Sequence, residues 1–112
     1  MKTTYKIAHQ LEVNRLGYGG MQLTGPGVFG DAPDRSNALK LLREAVESGV
    51  NFIDTADSYG PHTNEVLIAD ALHPFKNLVI ATKGGLERPG PGKWVPNGDP
   101  TYIRKCIEGS LK

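Results

Sequence analysis

The chain has 112 residues, with 13 Lys and Arg against 12 Asp and Glu, one cysteine, 14 glycines and 8 prolines. A near-neutral chain without a basic block lacks the clustered cations of nucleic-acid binding, and one cysteine forms neither an intrachain disulfide nor a cysteine-based metal site. No apolar run reaches the roughly 20 residues of a membrane span, and residues 1–10 lack the apolar stretch of a secretory signal. We therefore expect a cytoplasmic protein that binds neither nucleic acid nor membrane and holds no metal.

The first half of the chain predicts two strands, preceded by a hairpin and separated by a helix. Apolar residues within 5–14 indicate a short hairpin, and residues 16–21 predict a strand that leads into a glycine-rich loop. Asp34 is positioned to cap a helix over residues 35–48, and Gly49 is expected to end it in a left-handed turn. Residues 50–53 then predict a short, mostly buried strand.

The same strand and helix order recurs in the second half. Thr63 is expected to cap a helix that runs through Leu72, with Val66, Leu67, Ala71 and Leu72 facing inward. Residues 78–82 are apolar and rich in β-branched side chains, which predicts the third strand. After a long loop, residues 99–100 read Asp-Pro and predict the start of a third helix. Its apolar stripe is expected to run on to the last residues: Ile103, Cys106, Ile107 and Leu111.

Alternating strands and helices indicate parallel β-α units. A closed barrel of eight such units takes roughly 250 residues, so three units take roughly 94, and a leading hairpin accounts for the difference. Residues 1–112 are therefore expected to be the N-terminal part of one larger barrel domain. Three strands alone would leave sheet edges and apolar surface uncovered.

Three polar residues lie where the carboxyl ends of the parallel strands are expected. Asp54 ends the second strand, Tyr59 follows on the same loop, and Lys83 follows the third strand. Neighbouring strands are roughly 4.8 Å apart, so the carboxylate and the ammonium can meet across the rim. A neighbouring ammonium favours the phenolate form of a tyrosine, and a carboxylate holds the ammonium in place. The trio is either an acid–base site or a structural ion pair beside a packing tyrosine.

Residues 51–60 read Asn-Phe-Ile-Asp-Thr-Ala-Asp-Ser-Tyr-Gly and resemble the aldo-keto reductase signature Asn-Phe-x-Asp-Thr-Ala-x-x-Tyr-Gly. Residues 15–22, Arg-Leu-Gly-Tyr-Gly-Gly-Met-Gln, are similar to the family's first strand. Residues 79–83, Val-Ile-Ala-Thr-Lys, are similar to its third strand. The blocks stand in the family's order, and the resemblance covers nearly the whole chain from Asn14 onward.

The resemblance implies an α/β fold, the (β/α)8 TIM barrel of the aldo-keto reductases, present here as a hairpin and the first three β-α units. It implies an oxidoreductase that reduces an aldehyde or ketone to an alcohol and converts NADPH to NADP+. Tyr59 would be the proton donor, Lys83 would favour its phenolate, and Asp54 would pair with Lys83. The family's fourth catalytic residue, usually a histidine, lies on a strand beyond Lys112.

The glycine-rich segment at residues 17–20 is not a dinucleotide fingerprint, because Gln22 stands where the third glycine of G-x-G-x-x-G belongs. The resemblance instead places Gly20, Met21 and Gln22 beside the nicotinamide, together with Asp54. A methionine at position 21 would make the pocket softer and wider than an aromatic residue would.

His62 and Trp94 are the candidate substrate contacts. His62 follows the signature at the expected pocket mouth, and Trp94 lies in the long loop after the third strand, where an indole can anchor an apolar ligand. The alternatives are a histidine that only begins a helix and a tryptophan that pins the loop. Residues 60–62 and 21–22 resemble those of bacterial reductases of pyridoxal-like aldehydes.

Three functions stay open at this point. The protein is an NADPH-dependent reductase of a small-molecule carbonyl substrate, a cofactor-binding regulatory subunit of the same fold, or an inactive truncated chain. The family binds most of the dinucleotide through its last strands and loops. The 112-residue chain by itself is therefore expected to be inactive.

Overall fold

A computed structural model describes residues 2–112. The helices and strands, in chain order, are β1 Thr4–Ile7, β2 Leu11–Asn14, β3 Tyr18–Gly19, α1 Arg35–Glu47, β4 Phe52–Asp54, α2 Thr63–Leu72, β5 Val79–Ala81, β6 Leu86–Glu87, β7 Val95–Pro96 and α3 Pro100–Ser110. Short 3₁₀ helices cover Gly20–Gln22 and Pro26–Val28. No helix among the described residues is long and apolar enough to cross a membrane.

The predicted hairpin is confirmed, because β1 and β2 pair antiparallel from Thr4 opposite Asn14 to Ile7 opposite Leu11. Its second strand is tied to the residue that precedes β4. The Asn14 amide donates to Asn51 Oδ1 at 2.6 Å, and Asn51 Nδ2 donates to the carbonyl of Glu12 at 3.2 Å. The hairpin therefore lies against the amino-terminal end of β4, away from the strand ends where chemistry is expected.

The three predicted strands form one parallel sheet in the order β3-β4-β5. The register places Gly19 opposite Asp54 and Asp54 opposite Ala81, so one level of the sheet carries the last residue of every strand. The strands are shorter than predicted, since a 3₁₀ helix begins at Gly20 directly after β3. All three strands thus end at the carboxyl edge, and the polar loops begin there.

Helices α1 and α2 pack together with β4 around a small apolar core, which consists of Ala38, Leu42, Ile53, Leu67 and Ile68. The cap of α1 is confirmed, because Asp34 accepts a hydrogen bond from the Asn37 amide at 3.0 Å. Gly49, which follows the helix, has φ +110°, the left-handed conformation expected there. The order of elements and the start of α1 therefore match the prediction.

The prediction for α2 is wrong in two details. Thr63 is the first helical residue and does not cap the helix; its hydroxyl instead donates to the Gly30 carbonyl at 3.2 Å. Val66 is 54% exposed, whereas Ile68 is buried. The inward-facing residues of α2 start at Asn64 and lie three, four and seven positions after it. Val66 is only two positions after Asn64 and therefore lies on the outer face of the helix.

The third helix begins as predicted, because Asp99 accepts from the amides of Thr101 and Tyr102 at 2.8 and 3.3 Å. It ends at Ser110, one residue before Leu111, the last member of its predicted apolar stripe, and Leu111 is 81% exposed. Ile107 is also exposed, and Cys106 is buried. The described residues therefore leave part of the α3 stripe uncovered, as expected for a sheet of three strands.

The long loop before α3 contains a hairpin that the sequence did not predict. In it, Leu86 pairs with Pro96 and Glu87 with Val95. Strands of two residues are too short to show an alternating pattern, and the intervening glycines and prolines are typical of a loop. The hairpin matters because it carries Trp94.

Candidate active site

Asp54 and Lys83 meet at the carboxyl edge of the sheet. Asp54 is the last residue of β4, and Lys83 lies two residues after β5. Lys83 Nζ donates to Asp54 Oδ2 at 2.7 Å and to the carbonyl oxygen of Thr55 at 2.9 Å. The contact expected across the rim is thus present, and a second hydrogen bond to the backbone fixes the direction of the ammonium.

This ion pair is too exposed to be mainly a stabilising contact. Both side chains are 52% exposed, and solvent-exposed pairs contribute little to folding. Partial burial alone lowers the pKa of Lys83, but the hydrogen bond to Asp54 and the charges of Tyr59 and Asp54 outweigh it, so the pKa is raised above its ordinary value of 10.5. The lysine therefore keeps its positive charge at neutral pH, at the open edge of the sheet.

Tyr59 lies beside this ammonium. Lys83 Nζ is 5.2 Å from the centroid of the Tyr59 ring. The loop that carries the tyrosine is held on β5 and on the segment that follows it. The Thr55 amide donates to the Ala81 carbonyl at 2.8 Å, and the Asp57 amide donates to the Lys83 carbonyl at 3.1 Å. These two bonds join the backbone between Asp54 and Tyr59 to the backbone at Lys83, and so fix the three polar residues relative to one another.

The loop after β3 approaches the same edge. Gly20 is buried, and a Cβ on it would lie 2.8 Å from Asn64 Oδ1, so the close approach requires glycine. Met21 is 40% exposed and Gln22 is exposed. Gly19 is level with Asp54, and a Cβ there would meet no atom within 4 Å. Open space and an exposed loop thus adjoin the trio.

Asn64 is a residue of the site that the sequence pattern did not indicate. Its side chain is fully buried, accepts from the Thr55 hydroxyl at 2.6 Å, and donates to the carbonyls of Gly20 at 2.8 Å and Leu23 at 3.2 Å. It links α2, the loop after β4 and the loop after β3. The available signal was a polar residue at an apolar position of the α2 stripe.

The structure separates the two candidate substrate contacts. The Trp94 ring meets the Tyr59 ring edge to face, with 6.4 Å between centroids and 86° between planes. His62 instead lines a cavity of about 450 Å³ together with Asp57, Tyr102 and other residues, none of which belongs to the Asp54, Tyr59 and Lys83 trio. The geometry therefore brings Trp94 against Tyr59 and places His62 in a neighbouring cavity that Ser58 and Arg88 also line.

Comparison with known proteins decides the family. The profile described as "Aldo/keto reductase family" matches residues 15–112. The chain belongs to the aldo/keto reductase family. It is 46% identical over 109 residues to an uncharacterised oxidoreductase of Schizosaccharomyces pombe, covering 97% of this chain and 35% of that protein. It is 48% identical over 101 residues to the pyridoxine 4-dehydrogenase of Escherichia coli, covering 89% of this chain and 35% of that protein.

The fold agrees with the family. The holo form of an aldo-keto reductase from Bacillus halodurans superposes with a TM-score of 0.79 at 29% identity, covering 97% of this chain and 35% of that one. The chain spans about a third of the length of these relatives. Its parallel strands and helices are therefore part of a (β/α)8 aldo-keto reductase barrel, as predicted.

Proposed function

We propose that the protein is an NADPH-dependent oxidoreductase that reduces an aldehyde or ketone to an alcohol. The observation that carries the proposal is the contact of Lys83 with Asp54 and Tyr59 at the carboxyl edge of the sheet. Reactive groups of parallel α/β barrels gather at that edge. The family and the two relatives named above, both oxidoreductases by name, support the same class of reaction.

The residues at the edge fit the nicotinamide end of the cofactor. Open space above Gly19 adjoins the exposed loop of Met21 and Gln22, and Asp54 is level with it on the neighbouring strand. We propose that Gly20, Met21, Gln22 and Asp54 line this end of the binding site. When bound, the cofactor supplies a hydride to the carbonyl carbon.

The chain itself supplies the proton. The Tyr59 hydroxyl donates its proton to the carbonyl oxygen, which completes the alcohol and leaves a phenolate. The Lys83 ammonium, 5.2 Å from the Tyr59 ring centroid, stabilises that negative charge. Asp54 and the Thr55 carbonyl hold the ammonium in position through bonds of 2.7 and 2.9 Å. Proton transfer from a positioned group typically contributes about 10²–10⁴-fold to the rate.

The substrate class is a small-molecule carbonyl compound. Since one relative is named a pyridoxine 4-dehydrogenase, a pyridoxal-like aldehyde is the first substrate to test.

The buried Cys106 is a free thiol, which suits a reducing compartment, and we place the protein in the cytoplasm.

Two proteins test the proposal. The first is the 112-residue chain, and the second is a chimera in which residues 2–112 replace the matching third of the Escherichia coli relative. We expect NADPH-dependent reduction of an aldehyde panel by the chimera and none by the 112-residue chain, because the chain spans a third of a barrel. Steady turnover by the 112-residue chain would contradict the second expectation.

The variant Tyr59→Phe in the chimera tests the assigned proton donor. It should lower kcat by about 10²–10⁴-fold, the contribution of general acid catalysis. Tyr5→Phe is the matched control, because Tyr5 is 67% exposed on β1 and should leave kcat unchanged. Binding of NADPH by the chimera without its consumption would contradict the proposal and favour a regulatory role.

A further inference from the structure

Arg88 occupies an unusual position in the hairpin loop beside the site. Its guanidinium donates to four backbone carbonyls: Gly27 at 2.7 Å, Val28 at 2.8 Å, Ser58 at 2.8 Å and Lys93 at 2.7 Å. These carbonyls belong to three separate segments, namely the loop after β3, the loop after β4 and the β6–β7 hairpin. One side chain therefore joins three segments that follow the carboxyl ends of β3, β4 and β5.

The same guanidinium stacks on Trp94. Its Cζ lies 3.5 Å from the centroid of the Trp94 ring, a close cation–π contact. Trp94 in turn meets the Tyr59 ring edge to face. Arg88 thus contacts the site twice, through the indole that borders Tyr59 and through the Ser58 carbonyl that directly precedes it.

Arg88 is not available as a binder of anionic substrates. Four of its five N–H donors are used by backbone carbonyls. Burial lowers the pKa of the guanidinium, yet an arginine stays charged in proteins. Its role must therefore be exerted through the groups that it holds.

We infer that Arg88 is a positioning residue that holds Trp94 as an aromatic wall beside Tyr59 and thereby raises the affinity for carbonyl substrates that carry a ring. This inference rests on the proposed function. A substrate with an aryl group contacts the indole while its carbonyl lies at the Tyr59 hydroxyl. A short aliphatic aldehyde reaches the hydroxyl without contacting the wall, so it gains nothing from the arrangement.

The first test needs no enzyme activity. Trp94 is the only tryptophan of the 112-residue chain, so its fluorescence reports directly on the stack. We expect Arg88→Met and Arg88→Lys to shift the emission to longer wavelength and to increase quenching by acrylamide. The lysine variant keeps the charge but not the planar fork that reaches several carbonyls at once. Unchanged emission in both variants, with far-UV circular dichroism showing a folded chain, would overturn the inference.

Arg43→Met is the matched control for this measurement. Arg43 also donates to two backbone carbonyls, those of Ala71 and Asp70, but these lie at the end of α2. It should leave Trp94 emission unchanged. A red shift of the same size in this variant would mean that loss of any such arginine loosens the chain, and would overturn the specific role of Arg88.

The second test uses the chimera and separates substrates. Arg88→Lys should raise KM for an aryl aldehyde about tenfold and leave KM for a short aliphatic aldehyde and both kcat values within about twofold. Trp94→Leu should give the same split, and the double variant should be no worse than Trp94→Leu alone. An equal rise in KM for both substrates, or additive rises in KM in the double variant, would overturn the inference. An inactive wild-type chimera would instead count against the proposed function, and the fluorescence test would still decide whether Arg88 holds Trp94 in place.

Discussion

Replacing Asn64 with leucine is expected to destabilise the 112-residue chain by about 2 kcal/mol. The side chain makes three hydrogen bonds, to the Thr55 hydroxyl and to the carbonyls of Gly20 and Leu23. Leucine has the same number of side-chain heavy atoms, also branched at Cγ, and is larger, so the change removes every hydrogen bond without opening a cavity for water. The site loses the residue that joins three of its segments.

The magnitude follows from the burial of the partners. The buried Thr55 hydroxyl loses about 2 kcal/mol when left unpaired. The Gly20 carbonyl keeps its bond from the Leu23 amide at 2.9 Å and loses about 1 kcal/mol, as does the half-buried Leu23 carbonyl. Burying the leucine returns about 2 kcal/mol. The net loss is about 2 kcal/mol, which lowers Tm by about 8 °C for a domain of this size.

Urea unfolding followed by far-UV circular dichroism measures this difference. Asn37→Leu is the matched control, because Asn37 is exposed on α1 and its replacement should change stability by no more than about 0.5 kcal/mol. A free energy of unfolding of Asn64→Leu within about 1 kcal/mol of the wild-type value would mean that the hydrogen bonds of the buried Asn64 side chain do not hold the loops together.

Three further predictions concern the same region. Burial raises the pKa of Tyr102 to about 12 from 10.0, so its contribution to stability is complete below pH 10 and is lost as the pH rises through about 12. Urea midpoints of Tyr102→Phe should therefore fall less than those of wild type over that interval; an equal fall would contradict the assignment. Lys83→Met in the chimera should lower kcat about 100-fold at pH 7, and a kcat within threefold of wild type would count against its role. Gly20→Ala should cost about 1–3 kcal/mol in urea unfolding, because its Cβ would meet the Asn64 carboxamide at 2.8 Å. Gly19→Ala, with no atom within 4 Å, is its control, and equal effects of the two would argue against the packing explanation.

Local signals predicted much of the fold. The Asp34 cap, the left-handed Gly49 and the Asp99 cap each follow from the chemistry of one residue and its immediate neighbours. Parallel pairing was predictable too, since strands that alternate with helices must return in the same direction. The signature at residues 51–60 located Asp54 and Tyr59 because it is local in sequence.

Hydrogen bonds between residues far apart in the chain could not be predicted from the sequence pattern. Asn64 acts on Gly20, which lies 44 residues away, and Arg88 acts on Gly27, which lies 61 residues away. An arginine in a loop rich in glycine and proline has no periodic pattern that indicates its partners. The apolar side chain of Val66 favours an inward position in the sequence pattern. In the structure, the buried Asn64 determines which face of α2 points inward, and Val66 lies on the other face.

The most direct test of the proposed reaction follows the hydrogen atoms. The chimera is given an aryl aldehyde and NADPH that carries deuterium at the transferable position of the nicotinamide. We expect one deuterium on the former carbonyl carbon of each alcohol molecule, and almost no alcohol from Tyr59→Phe. Alcohol without deuterium, or labelled alcohol formed by Tyr59→Phe at the wild-type rate, would contradict the proposed reaction.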